Sequence, residues 1–214
     1  MPFLDRADAG RRLAQALASY KGRSAVVLAL PRGGAPVGGE IAAALGAPLD
    51  VILVRKVGVP LQPELAMGAV VDGGEPIVVR NDDVILAAGV SERQFEAACT
   101  RELVEIERRR ARFLGARTRA EIAGRVAIVV DDGVATGATA RAALRAMRQR
   151  GASEVVLAVP VAARDAIEDL RSEADAIVCL EAPRRFGAVG AFYADFRQIE
   201  DDEVSAILAR FSAA

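Results

Sequence analysis

Short unbroken apolar runs alternate along this chain with longer segments whose apolar positions recur every three or four residues. The runs at Ser24–Leu30, Leu49–Val54, Val126–Val130, Val155–Val159 and Ala176–Leu180 read as strands, Ser24–Leu30 a buried one and Val126–Val130 a parallel strand buried on both faces. A shorter run at Ile77–Val79 predicts a small returning strand. Helical spacing places Leu13, Ala16, Leu17 and Tyr20 on one face of an opening helix within residues 7–20. Further helices are predicted over residues 37–45, closed by Gly46, and over residues 164–173. Ser91-x-x-Gln94 is a capping box that opens a helix to about Leu114. The segment that follows Val126–Val130 is helical to about Arg150, where Gly151 ends it. Strands alternating with helices predict an α/β fold with a mostly parallel central sheet flanked by helices. Val57–Pro76, with two prolines near its start and two glycines near its end, predicts a long loop or a mobile β-ribbon.

The length, 214 residues, favours one domain, and an apolar fraction of 52% can build a core without staples. Lys and Arg number 28 against 29 Asp and Glu, so no global field points to nucleic acid or an anionic membrane. Cys99 and Cys179 fall within predicted elements and read as buried free thiols of a reducing compartment. No stretch reaches a membrane-spanning length and the first residues lack an apolar signal core, so a cytoplasmic location is expected. The chain has no histidine, which excludes Ser–His and Cys–His triads, imidazole bases and His-ligated zinc. Chemistry must therefore run on carboxylates, cations, hydroxyls and backbone dipoles.

The richest segment is Val126–Thr139. An apolar strand ends in Asp131-Asp132, followed by Gly133, Val134, Ala135, Thr136, Gly137, Ala138 and Thr139 and then a helix. That loop lies at the carboxyl end of a parallel strand, where open α/β sheets bind ligands. Its small residues, hydroxyls and helix N-terminus suit a phosphate. The acidic pair repels phosphate but accepts hydrogen bonds from sugar hydroxyls, or faces a metal ion. Together they describe a ribose 5-phosphate site. A nucleotide P-loop would need a Lys after its second glycine, and a dinucleotide fold would need G-x-G-x-x-G, which Gly33-Gly34-Ala35-Pro36-Val37-Gly38-Gly39 lacks.

This segment resembles the phosphoribosyl-pyrophosphate (PRPP) motif of the type I phosphoribosyltransferases, in which apolar residues lead into an acidic pair and then Thr-Gly-x-Thr. The resemblance covers most of residues 23–180. It implies a single domain over residues 1–214: a core of about 23–180, a mobile loop, and a small C-terminal hood at about 181–214, with the opening helix a further candidate for the hood. It implies transfer of ribose 5-phosphate from PRPP to a nitrogenous base or similar small acceptor, with release of pyrophosphate and with Mg²⁺ carried by PRPP near Asp131 and Asp132 rather than held by dedicated ligands. Asp131 and Asp132 would hold the ribose hydroxyls, and residues 133–139 the 5-phosphate.

Further roles follow from the resemblance. Arg32-Gly33-Gly34, after the first strand, matches the family's pyrophosphate loop, where Arg32 supplies charge and the glycines close approach. Arg55-Lys56 matches a basic pair best known in the adenine-specific branch, with Lys56 a point charge on the leaving pyrophosphate and Arg55 a bidentate partner. In the tail, Phe186, Val189, Phe192, Tyr193 and Asp195 match the hood that covers the base, although the same rings could simply pack a C-terminal lobe. Ala135 stands where hypoxanthine–guanine members carry an acid, so the loop is closer to adenine and uracil types and the acceptor stays open. A homo-oligomer is compatible with this reading. The other function class is a non-catalytic PRPP or nucleotide sensor that binds RNA or protein. Its support is the arginine-rich stretch 101–119, where interleaved Glu102, Glu105 and Glu107 argue instead for a solvated helix face.

Overall fold

A computed structural model describes residues 2–73, 76–115 and 117–211. Five parallel strands form the centre: β1 (Ala25–Ala29), β2 (Leu49–Val51), β6 (Val126–Val130), β7 (Glu154–Val161) and β8 (Ala176–Glu181), in the order β2-β1-β6-β7-β8. β1 and β6 run in register from Ala25 opposite Val126 to Ala29 opposite Val130, and every residue of both is buried. Alternation along these strands sorts them into two cores. Val27, Ala29, Ile128 and Val130 face one side, and Val26, Leu28, Ala127 and Val129 the other.

The first side is covered by α1 (Arg6–Ala16), α2 (Gly34–Leu45), α4 (Glu92–Leu114) and α7 (Asp201–Ala209); the second by α5 (Ala138–Gln149) and α6 (Arg164–Leu170). α1 approaches α2 closely because Gly10 lies against it: a Cβ there would stand 2.8 Å from the Val37 carbonyl. This contact sets α1, and Arg6 at its first turn, above the carboxyl ends of the central strands. α4 opens on the expected capping box, with Ser91 N–H donating to Gln94 Oε1 at 2.9 Å and Gln94 N–H returning to Ser91 Oγ.

The segment 57–76 is largely strand. β3 (Val54–Val59), β4 (Gln62–Val71) and β5 (Ile77–Arg80) form a second, antiparallel sheet. Its β3–β4 register shifts at Gly58, where a Cβ would stand 2.5 Å from the Pro63 carbonyl. At its root, Asp72 is buried and takes Arg110 at 2.6 Å and Arg119 at 2.7 Å. Burial pushes the Asp72 carboxyl up, and the two arginines counter it.

Several elements depart from the expected bounds. α2 begins at Gly34, earlier than residue 37, because the turn of the chain at 31–34 is already helical at Gly33. The second strand splits at Ile52-Leu53 into β2 and β3. A short helix, α3 (Asp82–Ala87), and the C-terminal α7 were not expected. α7 carries an acidic first turn and buries Val204 and Leu208 against α2 and α4. Both cysteines are free, Cys99 buried in α4 and Cys179 half-buried in β8. No described helix is long and apolar enough to cross a membrane.

Candidate functional site

The loop after β6 is shaped from both ends. Val134 bridges the end of β7: its N–H donates to the Val161 carbonyl at 3.0 Å, and its carbonyl accepts from Ala163 N–H at 2.9 Å. At the other end Gly137 takes φ +76°, the left-handed region that a side chain resists, and α5 starts from it. Leu170 of α6, fully buried, packs beneath, 3.1 Å from where a Gly137 Cβ would be. None of the backbone N–H groups from Ala135 to Thr139 has a protein acceptor among the described residues. They surround a cleft of about 110 Å³ that Asp131 also lines. Converging N–H groups at a helix N-terminus form an anion cradle.

Asp131 and Asp132 sit at the rim. Burial pushes the Asp131 carboxyl well above the usual carboxylate range, and the adjacent Asp132 pushes it further. Asp131 Oδ1 accepts from Asp132 N–H at 2.9 Å. Asp132 Oδ2 accepts from Arg6 Nε at 2.7 Å, and the Asp132 carbonyl accepts from Tyr193 Oη at 2.5 Å. The Asp132 carboxylate rests on Gly33, and Gly34 approaches the Val130 carbonyl so closely that a Cβ would stand 2.6 Å from it. The Pro31–Arg32 peptide is cis.

The structure brings the acidic pair, Gly33, Gly34 and residues 133–139 together. The cations lie differently. Arg32 leans toward the acidic first turn of α7, 3.6 Å from Asp201 and 3.9 Å from Glu200. Successive residues of a strand face opposite ways, and Arg55 and Lys56 follow that rule on β3. Arg55 turns to α4 and donates to Glu102 at 2.8 Å. Lys56 is exposed and lines a separate cleft with Arg80, Arg141 and Arg145, which meets the phosphate cleft at Ala138.

The tail divides in the same way. Val189 covers the loop, its Cγ1 2.5 Å from where a Gly133 Cβ would stand. Phe186 lines a cleft with Ala135, Ala163 and Pro183, and Phe192 stacks on it with ring centroids 5.6 Å apart. Tyr193 is buried between Phe3 and Phe196, at 5.4 and 5.0 Å. The exposed Asp195 accepts from Arg197 N–H at 3.1 Å. Backbone bonds tie this tail to the chain's start, Phe3 N–H to the Phe192 carbonyl and Ala194 N–H to the Phe3 carbonyl, both 2.8 Å.

The sequence model of the phosphoribosyl transferase domain matches residues 4–197. The chain belongs to that family. A Mycobacterium tuberculosis protein, known from strains CDC 1551 / Oshkosh and H37Rv and named provisionally as a phosphoribosyl transferase, is 50% identical over 208 residues. The match covers 97% of this chain and 46% of that protein, so the chain spans about half the length of the curated relatives it matches. The crystal structure of TT1426 from Thermus thermophilus is 44% identical and superposes with a TM-score of 0.87, covering 100% of both chains. At that similarity the two chains share one fold. A protein of Aquifex aeolicus, 12% identical, shares the fold at a TM-score of 0.50 over 98% of this chain and 87% of its own.

Within this phosphoribosyl transferase domain the arginine-rich stretch is largely engaged by the protein itself. Arg108 and Arg109 share Glu105, Arg110 and Arg119 converge on Asp72, and Arg117 donates to the carbonyls of Leu208, Leu49 and Phe211. The residue that the sequence reading missed at the site is Arg6. Its one local sign is a cation directly after the capping residue Asp5, at the positive end of a helix dipole, where a cation is disfavoured without a partner.

Proposed function

We propose that this domain transfers ribose 5-phosphate from PRPP to a nitrogenous base or similar small acceptor, releasing pyrophosphate. The observation that carries this reading is the ring of backbone N–H groups from Ala135 to Thr139, without protein acceptors, directly beside the Asp131–Asp132 pair. A phosphate and two vicinal hydroxyls, set a few ångströms apart, are what such a pair of sites recognises together.

In this reading the loop holds the 5-phosphate, and the acidic pair holds the ribose hydroxyls and favours positive charge developing on the sugar ring. The acceptor enters from the cleft that Ala135 shares with Phe186 and Pro183. The Gly33 and Gly34 backbone lets the diphosphate come close, with Lys56 and Arg32 the cations nearest the departing group once their side chains swing inward. Arg55 has the less direct route because Glu102 holds it. The carboxylates of Asp131 and Asp132 are hard oxygen donors that suit Mg²⁺. Mg²⁺, arriving with PRPP, would neutralise the diphosphate. Catalysis is then largely positioning and electrostatics, with the proton lost by the acceptor nitrogen taken up by the departing pyrophosphate or by solvent.

Hood, core and loop act as one domain in this proposal, and the chemistry is that of a water-filled compartment such as the cytoplasm. The engaged arginines of residues 101–119 give the RNA-binding sensor no observation of its own. The test is pyrophosphate release with PRPP, Mg²⁺ and a panel of nucleobases. Release that depends on one acceptor supports the proposal; absence of PRPP binding and of release with every acceptor overturns it.

A further inference from the structure

Asp132 is gripped at nearly every polar atom. Its N–H donates to Asp131, its carbonyl accepts from Tyr193, and Oδ2 accepts from Arg6. Among the described residues only Oδ1 has no protein partner. Arg6 is itself fixed. It is 8% exposed, its Nη1 donates to the Arg197 carbonyl at 2.8 Å, and its guanidinium lies 3.9 Å over the Phe196 ring. Two of its three anchors are independent of Asp132. Arg6 therefore keeps its place whether or not the carboxylate has another partner. Its position in the first turn of α1 runs against the helix dipole, so helix formation alone does not account for a cation there.

We infer that Arg6 is a positioning residue for Asp132: it takes Oδ2, fixes the carboxylate plane against Gly33, and presents Oδ1 to a ribose hydroxyl of PRPP. This rests on the phosphoribosyl-transfer reading above. A bidentate-capable cation on one oxygen leaves the other with a defined lone-pair direction, which a freely rotating carboxylate lacks. It also joins three distant segments at one carboxylate: the first turn of α1, the loop after β6, and the tail through Phe196 and Arg197.

The test is calorimetric titration of Mg-PRPP, and separately of inorganic phosphate, into the parent, Arg6→Gln, Arg6→Lys, Asp132→Asn and the double variant Arg6→Gln/Asp132→Asn. Arg6→Gln should weaken PRPP on the order of 10-fold, the scale of one charge-assisted hydrogen bond. Phosphate binding at the loop should be unchanged, and Arg6→Lys, which keeps the charge but loses the planar fork, should recover part of the loss. In the Asp132→Asn background the Arg6 change should add less than about twofold, because the two residues act as one unit. Parent-like PRPP affinity in Arg6→Gln overturns the inference, as does an equal loss in the Asp132→Asn background or a parallel loss of phosphate binding. A parent protein that binds phosphate but not PRPP overturns the phosphoribosyl-transfer reading itself, and the positioning role with it.

Discussion

Gly33 and Asp132 share one space: the carboxylate of Asp132 lies where the first side-chain carbon of any other residue at position 33 would be. Gly33 has an ordinary right-handed backbone, φ −62°, so its requirement is closeness rather than conformation. The loop after β1 and the loop after β6, more than ninety positions apart in the chain, are thus interlocked here and again at Gly34, which lies against the Val130 carbonyl.

Gly33→Ala should force Asp132 to turn and to release Arg6. PRPP affinity should fall at least about 10-fold, the scale of one lost charge-assisted hydrogen bond. Calorimetry on the folded variant checks this, and an affinity equal to the parent's would show that the carboxylate can move without consequence.

Asp131 should cost stability in return for function. In the folded protein, burial and Asp132 hold its carboxyl well above the usual range, while in the unfolded chain it titrates at about 3.9. The folded state holds that proton more tightly. The favourable contribution is thus present at low pH and is lost as pH rises through the folded value. Asn cannot ionise, so Asp131→Asn should have a higher Tm than the parent near pH 8, with the gap narrowing toward pH 4, while PRPP use drops roughly 10- to 100-fold. Melting curves against pH check the sign; parallel curves for the two proteins would contradict it.

Gly137 and Gly151 both carry φ +76°, so a side chain at either strains the backbone. Gly151→Ala should lower stability by about 1 kcal/mol and leave ligand binding intact. Gly137→Val meets Leu170 as well and should abolish binding of ribose 5-phosphate. Thermal unfolding and titration on the two variants separate strain from function, and equal ligand affinities would place the anion cradle elsewhere.

The tail aromatics should divide by their surroundings. Phe186 faces the cleft beside Ala135, so Phe186→Ala should raise the acceptor's KM by about 10-fold, a stacking-sized effect, with PRPP affinity nearly intact. Tyr193 is enclosed by Phe3 and Phe196, and Tyr193→Ala should lower Tm as a buried aromatic truncation of roughly 3–5 kcal/mol does. Measuring both KM values together with Tm distinguishes the roles; a Phe186 variant that changes only stability would remove it from the acceptor cleft.

The central sheet was legible because its inner strands β1, β6 and β7 are buried almost throughout and so read as unbroken apolar runs, while β8, half-buried at the sheet edge, still shows an apolar run. The phosphate loop was legible because it must follow such a strand. The second sheet was read only as a loop or ribbon, since β3 and β4 carry charges, glycines and prolines and lie partly in solvent. α7 was hidden by its length and by an apolar face that contacts elements far away in the chain. At the site, the acidic pair and the loop were visible as a contiguous string. Arg6 was not, because its partner lies 126 residues on and only the packing of Gly10 on α2 brings them together. The opposite facing of Arg55 and Lys56 was available from strand periodicity alone, once that segment is taken as a strand.

The chain has two tyrosines and no tryptophan, and the fold puts the tyrosines at opposite poles of the sheet. Tyr20 donates to Glu154, the first residue of β7, while Tyr193 donates to the carbonyl of Asp132, just beyond the last residue of the neighbouring parallel strand β6. Burial raises both phenols, Tyr20 to about 12 with help from Glu154, so neither ionises in ordinary buffers. With no tryptophan present, tyrosine absorbance above the phenylalanine bands therefore comes from these two rings alone, one touching the acidic pair and the other a strand length away. Replacing Tyr20 by Phe leaves the ring at the site as the single reporter.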